Sequence, residues 1–133
     1  MSIPTELLAA MSGRLAPGGG PATAADAVRV WRTLFQRFDP LLGPLSTALL
    51  FVRAMDTQAA AFPWLPQTSA AESAQTAFDR FAHSLDGRSP DDILAVNRVL
   101  LAAFTAHMSE LIGAGLTTRF LRAAFPPGGV QEE

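Results

Sequence analysis

The sequence predicts an all-α protein, a four- to five-helix bundle around a long C-terminal helix bent at Gly113–Gly115. Three observations predict it. Apolar residues recur at alternating spacings of three and four, the period of an amphipathic helix. No apolar–polar alternation typical of a strand runs longer than four residues. Helix starts are marked by a capping hydroxyl with a carboxylate three residues on: Thr23 with Asp26, Ser69 with Glu72, Ser89 with Asp92. A chain of 133 residues, 49% of them apolar, supports one domain with a real core.

Taken in order, a first helix is expected over residues 1–12, chiefly 4–12, stopped by Gly13. Residues 13–23 hold Pro17, Gly18, Gly19, Gly20 and Pro21 and read as a flexible linker, so the first helix is free to pack at a distance, including on another subunit. A single helical domain follows over 24–125, then a disordered tail over 126–133. From Val28 the apolar positions run Trp31, Phe35, Phe38, Leu42, Leu45, Leu49 and Val52, the seam of a packed helix. Pro40 and Pro44 interrupt that run, and each removes a backbone donor. Two helices, about 24–38 and 40–57, are therefore expected to meet at a bend. Residues 59–67 form an apolar loop, with Trp64 and Leu65 plugging the end of the core. A helix over 70–85 places Ala74, Ala77, Phe78, Phe81 and Leu85 on one face, and Asp86 with Gly87 closes it.

The last stretch, 89–125, starts firmly, with Pro90 at the first helical position. As one rod it would be roughly 54 Å long. A compact domain of this size is only about 36 Å across. The helix must bend at Gly113–Gly115 or protrude into a partner. Each glycine costs about 1 kcal/mol inside a helix, so the pair marks a bend or a close helix contact.

Composition excludes several functions. The net charge is −2 and all ten basic residues are Arg, which provides no basic field for nucleic acid. Without Lys, Gly18–Gly20 is no phosphate-binding P-loop. Without Cys there is no thiol nucleophile, disulfide or thiolate metal site. No signal peptide and no membrane span is expected, and the expected location is cytoplasmic.

Chemistry-bearing residues are sparse. His107 and Glu110 share a helix face, but di-iron bundles use Glu-x-x-His twice with further Glu. No metal or cofactor is expected. His83 suits the negative end of a helix dipole. Ser46 lacks the Gly-x-Ser-x-Gly elbow, and first-turn placement accounts for Asp91 and Asp92. Glu110 is the remaining general acid–base candidate. Arg98, Arg119 and Arg122 read as a solvated face. There is also an internal echo: Leu41-Leu42-Gly43 leading to Arg53-Ala54 matches Leu111-Ile112-Gly113 leading to Arg122-Ala123. A duplicated helical element or low sequence complexity would each produce it.

The segments PLLGPLSTALLFVRAM, FPWL and LIGAGLTTRFLRAAF resemble an uncharacterised family of small bacterial helical proteins, over residues 40–125. That resemblance implies signalling proteins as companions and carries over no catalytic residue. The expected function is thus a non-enzymatic interaction or regulatory module in bacterial signalling, acting as a homodimer. Ile93, Leu94, Val96, Val99, Leu100, Leu101, Phe104 and Met108 make the long helix apolar nearly all round. Its interface candidates are Leu111, Ile112, Gly113, Gly115, Leu116, Arg119 and Phe120. The alternative is a sensor holding a small apolar ligand among Trp31, Phe35, Phe78, Phe81 and Phe104. Neither nucleic acid nor membrane is an expected partner.

Overall fold

Helices account for nearly all regular structure in a computed structural model that describes residues 5–66 and 74–125. They are α1 (Thr5–Leu15), α2 (Ala24–Leu42), α3 (Pro44–Gln58), α4 (Ala74–Ser84), α5 (Pro90–Ile112) and α6 (Ala114–Ala124), with a 3-10 turn at Pro17–Gly19. The all-α class holds. Six α-helices stand among the described residues, however, against the four or five expected, and no single long helix closes the chain. Residues 89–125 form two helices separated at Gly113, and that break removes the length problem. The expected Ser69–Glu72 cap and the tail 126–133 lie outside the described residues.

The other two predicted caps are formed. Thr23 Oγ1 accepts from the Asp26 N–H at 3.1 Å, and Ser89 Oγ accepts from the Asp92 N–H at 3.1 Å. Each satisfies one of the orphan donors of a first turn.

Three expectations change. First, α1 does not stop at Gly13 but runs on to Leu15. Leu7, Met11 and Leu15 form an i, i+4, i+8 row that is fully buried against α5, α2 and α6 of the same chain. Burying Leu15 is worth about 1.5–3 kcal/mol, more than the roughly 1 kcal/mol that Gly13 costs in a helix. Second, Pro40 does not break the chain. It sits inside α2, close to the end, where one lost backbone bond is tolerable, and the break falls at Gly43. Pro44 takes the first position of α3. Third, the apolar surface of residues 89–112 is largely covered within the chain. α5 is the central helix, with α1, α3 and α6 packed on it. Ile93, Val96, Leu100, Leu101, Phe104 and Met108 are buried, and only Leu111 remains strongly exposed.

Candidate interaction surface at two glycine corners

Two single glycines turn the chain, and they do so identically. Gly43 joins α2 to α3 at φ 91°, ψ 145°, and Gly113 joins α5 to α6 at φ 93°, ψ 146°. Only glycine occupies that region without strain. The surrounding bonds match as well. The Gly43 N–H donates to the Asp39 carbonyl at 2.7 Å, and the Gly113 N–H to the Ser109 carbonyl at 2.8 Å. Thr47 returns both its N–H (3.2 Å) and its hydroxyl (3.1 Å) to the Gly43 carbonyl. Thr117 does the same to the Gly113 carbonyl, at 3.1 and 2.9 Å.

With Gly113 laid on Gly43, the main core positions coincide. Val30, Trp31, Leu34 and Phe38 correspond to Leu100, Leu101, Phe104 and Met108, all buried. Beyond the corner, Thr47, Phe51, Ala54 and Met55 correspond to Thr117, Leu121, Ala124 and Phe125, again all buried. The two corners interlock: α3 packs on α5, and α2 packs on α6. The echo read in the sequence is therefore a repeated helix–glycine–helix unit in three dimensions.

The corner also redirects the apolar seam. Val28 to Phe38 faces the core or its edge, but Gly43 resets the helical phase. α3 buries Thr47, Leu50, Phe51, Ala54 and Met55 instead. The continuation of the seam, Leu45, Leu49 and Val52, is left on the opposite face of α3. Leu45 is 67% exposed, Leu49 58%, and Val52 is half-buried. Leu41, at the end of α2, is 42% exposed, and its counterpart Leu111 is 58% exposed. Scattered exposed leucines are ordinary. Here they gather at the corners, and three of the four flank Gly43.

The residues expected to line an interface divide accordingly. Leu111, Gly113, Gly115 and Arg119 are exposed, while Ile112 and Leu116 are half-buried. Phe120 turns inward and stacks on Phe38 at a centroid distance of 5.4 Å. The outward face of α6 thus reads Gly115, Arg119, Arg122, and Arg122 pairs with Glu6 of α1 at 3.0 Å.

The structure brings all five aromatic pocket candidates together. Trp31, Phe81, Phe104 and Phe78 are buried and Phe35 is half-buried. They pack on one another: Trp31 meets Phe104 edge-on at 5.4 Å, and Phe35 meets Phe78 at 5.1 Å. Phe51 completes the cluster 4.8 Å from Trp31. Each such pair is worth about 0.5–1.5 kcal/mol beyond area burial. Sequence reasoning missed two members, Phe51 and Asn97. Asn97, fully buried, accepts the Trp31 indole N–H at 2.8 Å and donates to the Ile93 carbonyl at 2.7 Å. Its only signal was a polar residue inside an apolar run.

Each histidine lies near a carboxylate three residues on in the chain. His83 is exposed, with Nδ1 3.9 Å from Asp86. His107 Nδ1 lies 3.8 Å from Glu110, whose side chain is 79% exposed rather than set in an apolar pocket. Among the described residues no three His, Asp or Glu side chains are placed to hold a metal ion. No helix among them is long and apolar enough to cross a membrane. Compared with known proteins, the chain matches no protein-family model, no curated protein and no solved structure.

Proposed function

We propose that the chain is a non-enzymatic helical interaction module that acts as a homodimer, in the bacterial signalling setting implied by the resemblance of residues 40–125. The observation that supports it is the gathering of exposed leucines at the glycine corners: Leu41, Leu45 and Leu49 at the first, Leu111 at the second. Contiguous exposed apolar surface on a small domain marks an association site or an aggregation liability. Elsewhere the aromatic rings pack on one another in the core, and α6 shows Arg119 and Arg122 at its outer positions. The apolar surplus assigned from sequence to the long helix is thus carried mainly by α3. Sedimentation equilibrium tests the proposal. Association through a small face is expected to appear over roughly 10 µM to 1 mM. A chain that stays monomeric throughout that range overturns it.

A further inference from the structure

We infer that the outward face of α3 is a two-fold interface, on which α3 of a second copy lies antiparallel. Leu49 then faces the partner subunit's Val52, and Leu45 faces the partner subunit's Asp56. This rests on the self-association proposed above and adds its face and direction.

Three observations support it. Leu45, Leu49, Val52 and Asp56 follow each other at spacings of four, three and four, the seam that accepts another helix. The second observation is the molecule's own comparison. On the repeated backbone, the positions of Leu45, Leu49 and Val52 are held in α6 by Gly115, Arg119 and Arg122. The fold therefore does not require apolar residues at these outward sites, and their presence on α3 answers to something outside the chain.

The third is charge, which selects both the occupant and the direction. α3 begins on Gly43 with no side-chain cap and no acidic residue in its first turn. Its first amides and the positive end of its dipole are left without an anion. Asp56 and Arg53 are exposed, and neither makes an ion pair among the described residues. A parallel pairing would set Asp56 against its own copy. The antiparallel pairing brings the partner's Asp56 to the uncapped start of α3 and sets Arg53 beside the partner's Ser46. A second copy thus supplies both the apolar seam and an anion at the start of α3, a start that α6 shares without either. From Leu45 to Asp56 the face is about 17 Å long, so the dimer belongs to the weak, concentration-dependent class.

The test uses the full chain. Wild type should dimerise with rising concentration in sedimentation equilibrium. Leu49→Arg, which copies Arg119 of the repeated unit, should abolish the dimer while leaving the far-ultraviolet circular dichroism unchanged. Asp56→Asn should weaken association roughly 3- to 30-fold, two helix-terminus contacts being lost. The absence of cysteine permits a direction test with a short bis-maleimide. A mixture of Ser46→Cys and Arg53→Cys chains should cross-link more efficiently than either alone. A dimer unaffected by Leu49→Arg overturns this inference and leaves self-association standing. Ser46→Cys cross-linking with itself as well as the mixture does overturns the antiparallel direction. A monomeric wild type removes both.

Discussion

The two corners share a backbone and differ in what they show to solvent. At Gly43 and Gly113 the dihedral angles agree within a few degrees, and the following threonines make the same pair of bonds. Inward positions are mostly apolar in both, though their identities differ: Trp31 against Leu101, Phe51 against Leu121. Outward positions diverge in kind. α3 shows Leu45, Leu49 and Val52, whereas α6 shows Gly115, Arg119 and Arg122. Inward residues are selected for shape within a shared core, so Phe and Leu can replace each other as neighbours adjust. Outward residues face only water or a partner. The contrast separates what the fold demands from what it leaves open.

The largest test of the comparison lies in the core. Phe51→Ala should cost about 3–5 kcal/mol and Leu121→Ala about 2–5 kcal/mol in chemical denaturation. Phe51 should be the costlier because its ring also meets Trp31, Phe35, Phe78 and Phe81. A cheaper Phe51→Ala would show that the second corner carries the core instead. The next effect comes from the glycines. An added Cβ at Gly43 or Gly113 would meet no atom within 4 Å, so only the positive φ opposes it. Gly43→Ala and Gly113→Ala should each cost about 1–3 kcal/mol, and about equally. A clear inequality would mean that the matched angles are not matched in energy.

Much of this was legible in the sequence, for reasons that differ by element. Thr23 and Ser89 announced their helices because a cap is a local event, complete within four residues. Gly113 was legible as a break because its helix was too long for the domain. Gly43 is not, because Pro40 and Pro44 are the stronger local break signals, and because the three-and-four spacing continues through it unbroken. Spacing in sequence describes a face only while the helical phase persists, and one residue at φ 91° ends that. Spacing alone therefore puts Leu45 and Leu49 on the buried seam. Gly13 and Gly115 show why glycine alone was ambiguous: both sit in helices without a positive φ. The Trp31–Asn97 bond joins residues 66 positions apart, beyond any local pattern. The repeat left only a short echo, because its two copies preserve burial rather than residue identity.

The smallest effect on stability is the sharpest probe of the outward faces. Arg119 occupies in α6 the place that Leu49 occupies in α3, is exposed, and makes no ion pair among the described residues. Arg119→Leu should therefore change stability by no more than about 0.5 kcal/mol, seen as a shift of a few degrees at most in the thermal midpoint. Its effect on association should also be slight. The new leucine would stand between Gly115 and Arg122, with no apolar neighbour along α6 comparable to Leu45 or Val52. Arg122, tied to Glu6 at 3.0 Å, would keep a charge in the seam. Sedimentation equilibrium of the variant beside wild type makes the comparison. A marked gain in association would mean that exposed apolarity at either corner suffices. An unchanged dimer would mean that the ordered row on α3 is what a second copy recognises.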